Sequence, residues 1–421
     1  MNTARQDDES PGAATQRRVA GQGFSIVRAA TIVCLAGLLI VGPLQAGTLT
    51  IHTDFAGGSG RVVEIDQVAR RIRIEPSAHP GLGWECWWYF RLTGAVPGET
   101  LVVEVGKPPW ATPTQAAFST DDQEWQLTEP GQREAAGIRY HLQVPAETIW
   151  LAWGPPYTLR HAAAAVRVAA DRQDGFESRE LCRTADGRPV PALQWNCPSP
   201  DRFHVWIQAR QHAWEAGSSW VCQGFLDWLS SDDEGAVRLR ERAQVTVVPI
   251  MDVDNVERGA GGKNQLPHDH NRDWSEQPHF AAVAAAQRAI QESDERGLFD
   301  VFIDLHNPDA GSTHPFFFVT PRRLLSPRAS RNLDHFLAAA QLEMVGPLAF
   351  TGQTRESGES YDAKWRAISK NWVSLHTRDH VVSVTLETAW NTPHSSIDGY
   401  RTVGRQLGMA VERYLRANPR E

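Results

Sequence analysis

Two histidines and two glutamates stand out by where they fall in the chain. His212 and Glu215 lie in Arg210-Gln211-His212-Ala213-Trp214-Glu215, directly after an apolar run at 203–209. At that spacing an imidazole and a carboxylate can leave one turn in the same direction and grip one cation. His306 follows a second apolar run, 299–305. Two His and one Glu make three protein ligands and leave a fourth position for water. That is the arrangement of a catalytic rather than a structural zinc. Structural zinc would also favour cysteine, and neither turn contains one. Glu387 ends a third apolar run, 381–388, in Thr385-Leu386-Glu387. A carboxylate there is costly unless it has a task or a partner. It can take the proton of a water that a metal ion has made acidic. The competing readings are a salt-bridged structural Glu387 and, for each histidine alone, an ordinary hydrogen-bonded side chain.

A long Gly- and Asp-rich loop at 251–274 follows the run at 243–250. Its length favours function over mere connection. Arg272 near its end offers a planar fork for a carboxylate, and Asn271 adds a donor beside it. His268 and His270 lie in the same loop and are read as supporting or surface residues, because the ligand set is already complete.

The elements that must position these groups are legible from periodicity. From 48 to about 170 the chain reads as strands, at 48–53, 71–74, 85–92, 100–105, 138–144 and 148–153. They are β-branched or aromatic and often bounded by Gly or Pro. This predicts an all-β sandwich over 47–172. Beyond it, strands at 203–209, 243–250, 299–305, 316–320 and 381–388 alternate with helices at 216–229, 280–291, 327–344 and 397–415. The alternation predicts an α/β domain over 173–421, with a mixed, largely parallel central sheet flanked by helices. Ligands of open sheets bind beyond the carboxyl ends of the strands, which is where His212, His306 and Glu387 fall.

Composition sets the outer limits. The 421 residues are 41% hydrophobic and 22% charged, which excludes a disordered or fibrous chain. The net charge of -8 gives no support to a nucleic-acid partner. Arg17, Arg18 and Arg28 precede an uncharged run at 29–42, followed by Pro43-Leu44-Gln45-Ala46 with the small Ala46 at a cleavage point. Residues 1–46 therefore read as a signal peptide or an uncleaved membrane anchor, and any membrane attachment is expected through this segment only. The protein is expected to be exported, periplasmic or secreted. Cys86, Cys182, Cys197 and Cys222 lie beyond it. They are read either as four buried thiols or as including a Cys182–Cys197 disulfide. The sixteen tryptophans are read as filling the sandwich core and the domain junction.

Taken together, the motifs resemble the zinc carboxypeptidase (carboxypeptidase A) superfamily. The order H-x-x-E at His212/Glu215, Asn271-Arg272, His306 and Glu387 is similar throughout. Cys86-Trp87-Trp88-Tyr89-Phe90-Arg91-Leu92 and Trp153-Gly154-Pro155-Pro156-Tyr157-Thr158 resemble the cytosolic-carboxypeptidase-like branch, in which a β-sandwich precedes the catalytic domain. The resemblance implies one Zn(2+) per chain on His212, Glu215 and His306, with Glu387 as general base. It implies that Arg272 and Asn271 bind the terminal carboxylate of a peptide or protein substrate. A cation that polarises the scissile carbonyl would be Lys263 or Arg258, and a mobile tyrosine would be Tyr361. The reaction implied is hydrolysis of a C-terminal peptide or glutamyl bond. Alternatives are a zinc amidase acting on cell-wall peptides or N-acyl amino acids, and a catalytically inert peptide- or glycan-binding protein.

Overall fold

In the computed structural model, residues 47–106, 112–417 and 419–420 are described. Residues 1–46, expected to be a signal peptide or anchor, lie outside them. Ten strands come first: β1 (Thr50–His52), β2 (Arg61–Asp66), β3 (Arg71–Glu75), β4 (Tyr89–Thr93), β5 (Thr100–Gly106), β6 (Ala117–Ser119), β7 (Gln126–Leu127), β8 (Gln132–Glu134), β9 (Gly137–Gln143) and β10 (Ile149–Ala152). They form two sheets, in the orders β1-β4-β10-β6-β7 and β2-β3-β5-β9-β8. Alternation drives the packing, because successive side chains of a strand point to opposite faces. Ile72 and Ile74 of β3, Leu101, Val103 and Val105 of β5, and Ile138, Tyr140 and Leu142 of β9 are buried. They share one core with Phe90, Leu92, Ile149 and Leu151 of the other sheet. The sandwich expected from sequence is present.

Next come α1 (Leu159–Arg172), β11 (Phe176–Arg183), β12 (Pro189–Trp195), β13 (Phe203–Ala209), α2 (Ala216–Leu229), α3 (Glu234–Arg242), β14 (Ala243–Val248) and α4 (Val253–Arg258). The chain continues through α5 (Ala281–Glu295), β15 (Phe299–His306), β16 (Phe316–Val319), α6 (Pro327–Glu343), β17 (Thr354–Glu356), α7 (Ser369–His376), β18 (Val382–Glu387) and α8 (Ile397–Arg416). The eight strands form one sheet, ordered β11-β12-β14-β13-β15-β18-β16-β17. Its centre, β14-β13-β15-β18, is parallel, and its flanks carry antiparallel pairs. The central strands are apolar along their length because helices cover both faces of such a sheet. All seven residues of β13 and all eight of β15 are buried.

Two expectations need correction. The change of architecture was placed at 172/173, but α1 buries Ala162, Ala165, Val166 and Ala169 in the core of the α/β part, beside Val190 and Leu193. Along the chain the two cores divide between Trp153 and Tyr157, except that Trp214, Ala216 and Trp390 join the sandwich core. The Cys182–Cys197 disulfide is not formed, and all four cysteines of the described residues are free. The β11–β12 register pairs Phe176 with Trp195 and Arg183 with Pro189, so the two cysteines sit toward opposite ends of the hairpin. At about 3.3 Å per residue that is roughly 20 Å or more, far beyond disulfide reach.

The described residues from Gly47 onward form one compact unit. Trp153 of the sandwich meets Trp390 at 4.4 Å and Trp214 at 5.3 Å between ring centroids, an aromatic seam between the two parts. A loop of the sandwich also lies along the long loop at 251–274. Trp84 N–H donates to the Lys263 carbonyl at 3.0 Å, Gly262 N–H to Leu82 at 2.8 Å, and Leu266 N–H to Gly81 at 2.8 Å. The approach demands glycine at 261, where a Cβ would lie 2.1 Å from the Trp84 carbonyl oxygen. Gly261→Ala should therefore destabilise the fold by about 1–3 kcal/mol, the usual cost of overpacking. A urea midpoint equal to wild type would show that the strap can yield.

Candidate metal centre and surrounding cavity

Parallel register does the positioning. Ala209 pairs with Leu305, and His306 with Glu387, so the carboxyl ends of β13, β15 and β18 lie at one sheet edge. Beyond β13, Arg210 adopts a left-handed φ of 64° and turns the chain. Its buried guanidinium donates to the carbonyls of Ala213 at 2.7 Å and Tyr157 at 3.0 Å, which fixes the turn holding His212. Glu215 is the N-cap of α2, where a carboxylate is favoured by the helix dipole. Asn307 ties the strand ends together, donating from its backbone to Glu215 Oε2 at 3.2 Å and from its side chain to the Thr388 carbonyl at 2.7 Å.

The three expected ligands converge. His212 Nδ1 lies 2.7 Å from Glu215 Oε1, and His306 Nδ1 lies 2.8 Å from Glu215 Oε2. One ligand atom from each residue falls within 4.8 Å of the others, and the side chains are 4%, 3% and 1% exposed. Burial alone would raise the pKa of Glu215, but the two imidazoles outweigh it and hold the carboxylate below its usual range. Two imidazole nitrogens facing both oxygens of one ionised carboxylate is a donor set suited to zinc. The other ring nitrogens are also placed for it. His306 Nε2 meets Asp304 Oδ2 at 2.9 Å, and His212 Nε2 lies 3.6 Å from Asp269 Oδ1. Carboxylates in that position orient metal-bound imidazoles and raise their basicity. The residues fit the metal.

Glu387 ends β18 beside this cluster, with Oε2 buried and without a hydrogen-bond partner. Burial raises its pKa to about 8; Glu215 pushes the same way, while His306 and Lys263 oppose. Lys263 lines the same cavity, its Nζ 3.7 Å from Asp269 Oδ2, and burial lowers its pKa. Arg258 is instead drawn to Asp186, so of the two candidate cations the fold brings only Lys263 to the site. Arg272 and Asn271 also line the cavity. Arg272 Nε donates to Asp362 Oδ2 at 2.8 Å and Nη1 to the Asn271 carbonyl at 2.9 Å. The Asn271 side chain faces His306 Nε2 at 3.3 Å and accepts from Ser369 N–H at 3.0 Å, so it packs against the cluster as well as beside Arg272. Tyr361 is 48% exposed at the cavity, packed on Phe318 and 5.9 Å from the Arg272 guanidinium. His268 and His270 do not join the cluster: one meets Asp273 at 2.6 Å, the other stacks on Phe280 at 3.8 Å.

Asp269, Asp304, Arg355 and Lys370 were not singled out from sequence. Asp304 had a signal: it precedes His306 by two on one strand, which puts both side chains on one face. Asp269 had a weaker one, its place two residues before Asn271 in the long loop. Lys370 lies buried on α7, its Nζ donating to Ser357 Oγ at 2.6 Å, and no sequence pattern separates it from a surface lysine.

The family pattern described as cytosolic carboxypeptidase N-terminal domain matches residues 51–153, and that described as zinc carboxypeptidase matches residues 163–398. An uncharacterized protein of Zymomonas mobilis is 30% identical over 272 residues, 62% of this chain and 68% of that one. Cytosolic carboxypeptidase 4 of Mus musculus is 24% identical over 324 residues, covering 63% of this chain but only 28% of the mouse protein. In fold, the chain is similar to a metallo-carboxypeptidase from Burkholderia cenocepacia, with TM-score 0.76, 21% identity, and 88% of this chain and 100% of that one covered. A metallo-carboxypeptidase from Pseudomonas aeruginosa, solved with (2-guanidinoethylmercapto)succinic acid, has TM-score 0.72 at 23% identity over 86% of this chain and 98% of that one. The chain belongs to the zinc carboxypeptidase family of metallopeptidases, with a cytosolic-carboxypeptidase N-terminal domain ahead of the catalytic part.

Proposed function

We propose that the protein is an exopeptidase that removes the last residue of a peptide or protein chain. The observation that carries this reading is the position of Arg272, in the same cavity as the His212–Glu215–His306 cluster and Glu387. Its guanidinium already donates from Nε to a carboxylate, that of Asp362. A substrate's terminal carboxylate held there fixes which bond reaches the cluster.

His212, Glu215 and His306 would hold the zinc, which when bound would supply Lewis acidity toward the scissile carbonyl and lower the pKa of the attacking water. Glu387 takes the proton of that water and passes it to the departing amine. Lys263 offers positive charge where negative charge develops on the carbonyl oxygen. Asp304 and Asp269 keep the two imidazoles oriented. Arg272 and Asn271 hold the chain end, and Tyr361, at the mouth, covers it. The basic and apolar leader supports action outside the cytoplasm, on chain ends found in the envelope or beyond.

The test is a matched pair of peptides with free and amidated C-termini. Arg272 keeps Asp362 as its partner when the peptide is amidated, so what is lost is the charge-assisted contact to the substrate, and cleavage should slow by about 10–100-fold, the ~1.5–3 kcal/mol of a hydrogen bond to a charged group. Equal cleavage would point instead to an amidase or an endopeptidase.

A further inference from the structure

The cavity measures about 470 Å³, enough for more than a single terminal amino acid. Two contiguous groups of aromatic residues stand in its walls. In one, Arg272 faces Tyr361 at 5.9 Å, Tyr361 packs on Phe318 at 5.1 Å, Phe318 on Phe316 at 5.3 Å, and Arg355 lies 3.8 Å over Phe316. In the other, Trp84 lies against Trp214 at 6.2 Å, Trp214 meets Trp390 at 6.0 Å, and Trp390 Nε1 donates to the Pro308 carbonyl at 2.7 Å. Each group abuts the cluster. Phe316 pairs with Glu387 in the sheet, while Trp214 precedes Glu215 and Trp390 follows Glu387 by three residues.

A chain end held at Arg272 fills the first group with its terminal residue and presents its last peptide bond at Glu387. The residue before that bond then meets the second group. We propose that Trp84, reaching in from the β-sandwich, forms with Trp214 and Trp390 the wall of a subsite for an aromatic or large apolar side chain on the amino side of the bond that is cut. Trp84 is half-buried, and Trp214 and Trp390 are buried; all three line the cavity. Ala310 and Pro308 continue the apolar wall. Asp309, between Pro308 and Ala310, is drawn to Arg355 at 3.4 Å. An indole face carries negative charge and packs well against rings and apolar side chains, poorly against carboxylates.

This subsite rests on the exopeptidase reading, and the experiment separates the two. Zinc-loaded full-length protein is given blocked peptides sharing one terminal residue, preceded by Ala, Lys, Phe or Trp. Phe and Trp should exceed Ala by about tenfold in kcat/KM, mainly through KM, as expected for an aromatic contact plus burial. Trp84→Ala should cut that advantage to about twofold, and Trp84→Phe should keep most of it. Trp84→Leu replaces the alanine variant if the latter does not fold, with the same loss of preference for aromatic over alanine peptides. A wild type indifferent to the upstream residue, a preference for Lys, or an advantage that survives Trp84→Ala would overturn the proposal. If no peptide is cleaved, the exopeptidase reading falls. The subsite is then judged by calorimetry: tighter binding of the Phe peptide that Trp84→Ala abolishes supports it, and equal Kd values for the Ala and Phe peptides sink it.

Discussion

Glu387→Gln is expected to retain close to one zinc per chain and to lose turnover by about 10²–10⁴-fold, the range general-base catalysis contributes. The substitution keeps the volume at the end of β18, where Thr388 N–H donates to the His306 carbonyl, so the sheet edge is undisturbed. What it removes is the capacity of a buried, otherwise unpartnered oxygen to accept a proton. The fold should not suffer. Burial holds this acid above its ordinary range, so in the metal-free chain its folded pKa exceeds its unfolded one. Such a group costs stability as pH rises from the unfolded value through the folded one. A neutral amide escapes that cost, and metal-free Glu387→Gln should melt no lower than wild type at pH 8. Metal analysis with single-turnover kinetics checks the first claim. A variant with near wild-type rates and full zinc would remove Glu387 from the chemistry.

The second large effect concerns metal itself. His306→Ala should lower zinc content after dialysis from near one ion per chain to under about a tenth, because two protein ligands make a poor zinc site. It should also destabilise the fold. Glu215 Oε2 loses its imidazole at 2.8 Å and Asp304 Oδ2 loses one at 2.9 Å, leaving two buried carboxylates with poorer compensation. Breaking a buried charged pair from one side costs about 3–5 kcal/mol. Full zinc retention in His306→Ala would exclude it from the ligand set; zinc loss without any fall in melting temperature would instead show that Asp304 and Glu215 find other partners.

How much of this was readable before the structure depended on whether apolar patterning carried the signal. β13, β15 and β18 announce themselves as short apolar runs, and the residues that follow them are where the chemistry lies. β11 was missed because it is an edge strand with a mostly exposed face, in the pattern Phe176–Arg183, and reads as polar. α1 was missed, and its residues were placed with the sandwich, because its buried stripe is mainly alanine and gives little apolar contrast. α7 was missed because Lys370 and Asn371 are buried in it, and polar residues in a core defeat any apolar periodicity. The ligands could be found because their type and spacing are chemically restrictive. Asp269 and Asp304 were passed over because a carboxylate that steadies an imidazole looks, in one dimension, like any other acid.

The strap between Gly81 and Trp84 and the catalytic loop bears on how such a chain can change over time. Three backbone hydrogen bonds set the path of the loop that carries Lys263, and the seam of Trp153, Trp214 and Trp390 leaves neither half with a finished surface. The sandwich is thus a component of the reaction chamber rather than a detachable module. Exchange of this sandwich for an unrelated one would strand the loop and bare the indoles, so the two halves are bound to be inherited together. A transplanted catalytic half would have to bring its own replacement for residues 81–84.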